Sequence, residues 1–284
     1  MLIETEETNQ FTFEPFAAHA FYTEVNRSLV HQALAPDKLR STNEPLTIVD
    51  MACGTGAVTR LIAEEMRCQG RQARIIGVDP SAEALRLAQK GMAEIGAKAE
   101  FFQGDTEDLP RLVHDADAAF FCNAIHLLAD KQATFKIMAS ILAPNGIFAC
   151  NSAFYTGAYV EGTERFYRLW TRRAIGWLRK EHPEAHVSRE TKTMAMQWIT
   201  ADDYIQLLRD GGFQKVDSVQ EEAMMTVESY HDIGQYWLFI EGALPGIPLS
   251  LGAAALGTTV YQVGEELNLT DIPRNWLQLV AHKG

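Results

Sequence analysis

Residues 49–56 read VDMACGTG, and their surroundings decide the fold. The run LTIVDMAC is rich in β-formers and ends at an acidic residue. From Gly56 to about Gln69 the apolar residues Val58, Leu61, Ile62 and Met66 fall on one helical face. A strand that turns through glycines into a helix is the first half of a βαβ unit.

The same alternation continues outward to Phe154. RIIGVD reads as strand two, and a helix follows Pro80 with Ser81 as N-cap and Ala84, Leu85, Leu87 and Ala88 as its apolar residues. EFFQGD is strand three. DAAFFCNAI, almost wholly apolar, is strand four, as expected of a strand covered on both faces. Residues 131–142 form a helix ending at PNG, and GIFACNSAF makes strand five. Beyond Phe154 the alternation stops, and residues 155–198 carry a helical stretch rich in Phe, Tyr, Trp and Arg. Thr200, with Asp203 at N3, opens a helix that closes at Gly211-Gly212. Lys215 to Met225 reads as strand six, two helical segments follow at 228–243 and 248–267, and NWLQLVAHK is a last strand.

The expected architecture is α/β, Rossmann-like, with a mostly parallel seven-stranded sheet, helices on both faces and helical lid insertions. One domain over 1–284 is expected to divide into an N-terminal helical cap (1–44), a core (45–154), a lid insertion (155–198) and a C-terminal part of the sheet (199–284). The helices of 228–267 are inserted in that last part.

In open α/β sheets ligands sit outside the carboxyl ends of the strands. Three such ends carry polar residues here: Asp50 with Gly54 and Gly56, then Asp79, then Gly104-Asp105 followed by Thr106. An acidic side chain at the tip of strand two is the ribose-hydroxyl acceptor expected for a nucleoside cofactor. A dinucleotide-binding oxidoreductase would want a third glycine in the form G-x-G-x-x-G to admit a pyrophosphate. Gly54-x-Gly56 is followed instead by Ala57, Val58 and Thr59.

VDMACGTG, GVDPSAEAL, FFQGDTEDLP and FFCNAIHLL, in this order and spacing, resemble the successive motifs of class I S-adenosylmethionine (SAM)-dependent methyltransferases, and are most similar to the small-molecule and quinone-type branch. The resemblance covers about residues 45–155. It implies SAM as cofactor and S-adenosylhomocysteine as product. Asp50 and the backbone of Cys53 to Gly56 would then contact the methionine part, and Asp79 the ribose hydroxyls. Pro80 would flank the adenine, with Asp105 and the Thr106 backbone reading its edge, and Asn123, Ala124 and Ile125 would line the methionine side. An N-terminal helix caps the cofactor in that family, making Tyr22 and Asn26 lid candidates. At Ala52 the family usually has Gly, and a methyl group there is tolerable if φ is negative.

Methyl transfer from a sulfonium is an in-line displacement, helped by excluding water and aligning the reactants. The aromatic content of 155–198 and of YWLF at 236–239 suggests a pocket for a small, hydrophobic or aromatic acceptor, with Trp170 and Trp237 facing it. His126, just past strand four, is the candidate general base or acceptor-positioning group; Tyr155 and Glu161 are the alternatives. The other histidines show no metal-ligand spacing, and no metal is expected. A net charge of −12 and pI near 5.1 argue against a nucleic-acid substrate. The four cysteines read as reduced core thiols. No apolar run is long enough to span a membrane and no signal segment is evident, so a cytoplasmic protein is expected. A homodimer is compatible with the sequence. The remaining function class is a SAM- or nucleoside-binding protein of the same fold without methyl transfer.

Overall fold

The computed structural model describes residues 8–42, 44–188 and 198–284; the rest of the expected cap and lid (1–7, 43 and 189–197) lies outside the described residues. The α-helices are α1 (Glu14–Ala17), α2 (Ala20–Ala33), α3 (Ala57–Cys68), α4 (Ala82–Glu94), α5 (Leu109–Leu112), α6 (Lys131–Ile141), α7 (Glu164–Glu181), α8 (Ala201–Asp210), α9 (Val227–Ile233), α10 (Trp237–Ala243) and α11 (Leu249–Leu267). The strands are β1 (Leu46–Met51), β2 (Ala73–Asp79), β3 (Glu100–Gln103), β4 (Ala116–Cys122), β5 (Leu142–Ser152), β6 (Phe213–Thr226) and β7 (Asp271–Lys283).

The seven strands form one sheet in the order β3-β2-β1-β4-β5-β7-β6. Strands β1 to β5 pair in parallel, and β7 enters antiparallel to β5, with Ile147 opposite His282 and Ser152 opposite Leu277. The chain runs outward from β1 to β3, then returns to place β4 on the other side of β1. This reversal opens a crevice at the carboxyl ends of β1 and β4.

Contacts divide the chain into two compact units. The sheet unit takes in residues 23–155, 199–221 and 276–284; the helical unit takes in the described residues of 1–22, 156–198 and 222–275. In the sheet unit, pleat alternation sends Ile147 to one face and Phe148 to the other. Ile147 joins Ile48 and Phe120 against Leu29, Val30 and Leu34 of α2 and Leu61 and Ile62 of α3. Phe148 packs on Phe135 of α6 and stacks on Phe213. Both layers are needed because β4 is buried along its whole length. Its single charge, Asp117, is bound by the Arg40 guanidinium and by Thr47 N–H at 2.8 Å.

Local signals are realised as drawn from the sequence. Ser81 Oγ accepts from Ala84 N, and Thr200 and Asp203 form a reciprocal capping box. Three details differ. β5 begins at Leu142, directly after α6, and the PNG turn lies within it, with a register break opposite Ala116–Ala118 and Asn145 at φ +61°. The helix expected over 228–243 is two helices, with Gly234 capping the first; a Cβ there would lie 3.2 Å from the Trp170 ring. Cys68 is exposed at the end of α3, while Cys53, Cys122 and Cys150 are buried thiols.

The helical unit has its own aromatic core. Phe166, Tyr167 and Trp170 of α7 pack with Tyr230 of α9, and Tyr167 and Tyr230 share a hydroxyl hydrogen bond of 2.5 Å. Trp170 donates its indole N–H to Leu256 O of α11 at 2.9 Å. The Arg274 guanidinium lies 5.3 Å from the centres of the Tyr159 and Tyr167 rings. No described helix is long and apolar enough to cross a membrane.

Candidate active site

The turn after β1 is built from left-handed backbone. Ala52 (φ +55°), Gly54 (φ +53°) and Gly56 (φ +83°) alternate with ordinary residues, so the chain curls between strand and helix. The positive φ at Ala52 overturns the condition under which its methyl group was expected to be harmless; an L-residue there carries about 1–2 kcal/mol of strain. The two glycines serve different ends. A Cβ on Gly56 would sit 3.0 Å from the Ala88 Cβ, so this residue lets α3 close on α4, whereas a Cβ on Gly54 would meet nothing within 4 Å. Gly54 therefore faces open space.

Asp79, at the tip of β2, joins two loops. Its Oδ2 accepts from Gly54 N at 2.8 Å and its Oδ1 from Ser81 N at 2.9 Å. Gly104 N donates to Asp79 O at 3.1 Å, which brings the third strand tip to the same place. Asp105 caps the turn that follows, its Oδ1 accepting from Glu107 N at 2.9 Å, and its own N–H donates to Asp108. Thr106 is half-buried and Pro80 exposed. Asp50 is buried, and Thr59 of α3 donates to it at 2.6 Å. Burial pushes the Asp50 carboxyl up to about 7, the nearby Asp79 charge adding to the rise and the Thr59 hydrogen bond opposing it. Cys53 is buried beside them, its thiol raised by burial.

The tip of β4 is held by a buried amide cluster. Asn26 Oδ1 accepts from both Asn123 Nδ2 and Asn151 Nδ2 at 3.0 Å, and Trp276 donates its indole N–H to Asn123 Oδ1 at 3.0 Å. Asn123 takes φ +59°, and its backbone N–H donates to Asn151 Oδ1 at 2.9 Å. Asn26, expected as a lid residue, is thus an internal strut. Ala124 is half-buried and Ile125 buried. His126 is 6% exposed, stacked on Phe154 with centroids 4.5 Å apart, and its Nδ1 lies 3.1 Å from the Ser152 Oγ. Ser152 Oγ also accepts from Phe154 N at 2.9 Å.

Asp50, the 52–56 turn, Asp79, Gly104, Asp105 and Thr106, with Asn123 to His126, therefore occupy the carboxyl ends of neighbouring parallel strands. Tyr155 is buried in the sheet unit and donates its hydroxyl to Gln220 Oε1 at 2.8 Å. Tyr22 and Glu161 belong to the helical unit: Tyr22 is buried against Phe13 and Phe16, and Glu161 is exposed in a turn. Trp170 and Trp237 are 2% and 7% exposed, so packing within that unit occupies them. Thr59, Asn151, Ser152 and Trp276 went unread in the sequence. Each supports a named site residue through a contact 9 to 153 positions away.

The helical unit holds a grouping that histidine spacing did not suggest. Glu228, His231 and Asp232 bring one ligand atom each within 4.8 Å of one another, and His19 Nε2 lies 2.8 Å from Asp232 Oδ2.

A family model of methyltransferase domains matches residues 48–146, the stretch that contains the 52–56 turn, Asp79, Asp105 and His126. Residues 48–146 thus resemble a methyltransferase domain, and the seven-stranded sheet that carries them has the fold of class I methyltransferases. The chain is similar to the malonyl-[acyl-carrier protein] O-methyltransferase of Halalkalibacterium halodurans, 30% identical over 151 residues that make up 51% of each protein. It is also similar to the 2-phytyl-1,4-naphtoquinone methyltransferase of Thermosynechococcus vestitus, 29% identical over 100 residues, 35% of this chain and 43% of that one. The chain thus spans about half the length of the curated relatives it matches. The structure of the YcgJ protein from Bacillus subtilis shares the fold with a TM-score of 0.56 at 14% identity, covering 92% of this chain and 98% of that one.

Proposed function

We propose that this methyltransferase domain binds SAM at the tips of β1, β2 and β3 and transfers its methyl group to a small, largely apolar acceptor. The observation that carries the reading is the bond from Gly54 N to Asp79, which sets the open glycine turn beside a buried carboxylate. The residues suit the cofactor's parts. Gly54 leaves room for a ligand against the backbone. The Asp79 carboxylate has acceptor capacity beyond its two backbone donors for ribose hydroxyls. Asp50 offers an anionic site to an ammonium, and Pro80, Asp105 and Thr106 border the base.

When bound, the cofactor supplies an electrophilic methyl group on a sulfonium. The chain's own part is alignment, exclusion of water and management of any proton on the acceptor. Ala124, Ile125 and the stacked pair His126–Phe154 give the strand tips an apolar character, which supports a hydrophobic or aromatic acceptor. Relatives named for a malonyl carrier-protein conjugate and for a phytyl naphthoquinone use different acceptors, so the class is read from this lining. His126 is the proposed base or positioning group. Tyr155, with its hydroxyl given to Gln220, is better suited to support.

Thermal melting with SAM, S-adenosylhomocysteine and NAD tests the cofactor. A ligand at a hundred times its dissociation constant should add about 2.7 kcal/mol. A shift with NAD alone would overturn the reading. Labelled SAM with a panel of phenols, quinols, amines and carboxylic acids then identifies the acceptor.

A further inference from the structure

Asp50 and Asp79 close adjacent parallel strands, and both are buried, at 1% and 8% exposure. Both accept hydrogen bonds, and they differ in depth. Asp79 accepts two backbone N–H bonds, an arrangement that favours the ionised carboxylate. Asp50 accepts from the Thr59 hydroxyl and is also held by the Thr59 backbone, and no Lys, Arg or His pairs with it among the described residues. The Thr59 hydroxyl donates to Asp50 and so favours the ionised carboxylate, against the burial that disfavours it.

Buried carboxylates that share a site tend to keep one proton between them, because two like charges in a low dielectric repel. The deeper burial of Asp50, at 1% exposure against 8%, leaves that proton on Asp50. Its raised carboxyl, displaced by burial and by Asp79, agrees with this assignment. The other titratable groups around it are the thiols of Cys53 and Cys122, both raised by burial and by the Asp50 charge. They stay neutral and supply no cation.

We propose that cofactor binding here is proton-coupled: a cationic cofactor expels the proton of Asp50 to solvent, and Thr59 sets the pH at which it leaves. The only bond broken is the carboxyl O–H, and the proton passes to buffer. This inference rests on the cofactor reading above. Because binding releases a proton, affinity rises with pH, approaching tenfold per unit below about pH 7 and levelling above it. Thr59 is a positioning residue: its hydroxyl stabilises the ionised carboxyl, so removing it should move the rise to higher pH.

The test is titration calorimetry of the full chain with SAM between pH 5.5 and 8.5, in buffers of different ionisation heat. The expected result is close to one proton released per SAM at about pH 6 and close to none above about pH 8. Asp50→Asn should bind more weakly, release no proton and lose the pH dependence. Thr59→Val should shift the rise to higher pH, and Thr59→Ser should restore it, which a purely structural threonine would not do. SAM binding with no proton released at any pH overturns the inference and leaves the cofactor reading standing. Failure of SAM to bind at any pH overturns both. Proton release unchanged in Thr59→Val removes the role of Thr59.

Discussion

Trp276 donates its indole N–H to Asn123 Oδ1 at 3.0 Å, so the last strand props the tip of β4. Asn123 holds φ +59°, a conformation that costs an L-residue energy unless its surroundings impose it. The same side chain reaches Asn26, which also receives Asn151. Replacing Trp276 with Phe keeps most of the packing and removes one donor. We expect a loss of about 1–3 kcal/mol, the cost of stranding a buried acceptor, measured by urea unfolding. An unchanged midpoint would mean the cluster is not what holds the β4 tip.

Ala52→Gly should stabilise the protein. The left-handed backbone at Ala52 costs about 1–2 kcal/mol, and glycine's greater freedom when unfolded returns about 0.5–1 of it. A net gain of about 0.5–1 kcal/mol, or roughly 2 °C in Tm for a chain of this size, follows. A fall in Tm would show that the alanine methyl makes contacts worth more than the strain.

The two glycines of the turn should respond differently. Gly56→Ala places a Cβ 3.0 Å from that of Ala88 at φ +83°, and we expect it to destabilise by about 2–4 kcal/mol through strain and crowding together. Gly54→Ala meets no neighbour; its cost should stay near the backbone strain of about 1–2 kcal/mol. Its larger effect should be on SAM affinity, read by calorimetry. Equal loss of stability with unchanged affinity would remove Gly54 from the cofactor site.

Asp50 also makes a statement about stability. Its carboxyl stands near 4 unfolded and about 7 folded, so between these values the fold favours the protonated form. A raised carboxyl contributes stability that is complete below about pH 4 and is lost as pH rises through 7, on the order of 1 kcal/mol per unit in that window. Asp50→Asn removes this dependence. Denaturant midpoints from pH 4 to 8 should therefore show the variant gaining on the parent as pH rises; parallel curves would contradict the assignment.

His126→Ala should lower turnover by about 10² to 10⁴ if the imidazole takes a proton from the acceptor. Ser152→Ala removes the hydroxyl 3.1 Å from Nδ1 and tests whether ring orientation matters. Near-native turnover and an unchanged pH profile in His126→Ala, with SAM still bound, would leave catalysis to alignment and desolvation.

The sequence by itself determined the βαβ alternation, the strand tips and the caps, because each is a local property. Residues 57–68 repeat their apolar positions at helical spacing, DAAFFC alternates nothing because both faces of β4 are covered, and Ser81 and Thr200 bond within three residues of themselves. Asp50, Gly54, Asp79 and Asp105 were legible as a set because a parallel sheet sends every carboxyl end to one edge. What only the tertiary structure decided depends on residues far apart in the chain. The Asn26–Asn123–Trp276 cluster joins the second helix, the fourth strand and the last one. The absence of a side chain at Gly234 makes room for the ring of Trp170, and Asp117 is buried because Arg40 and Thr47 reach it. The sign of φ at Ala52 is likewise set by how the turn must curl between β1 and α3, not by any preference of alanine. No propensity encodes these contacts, since each polar group has a partner only after the sheet has brought its neighbours within hydrogen-bond reach.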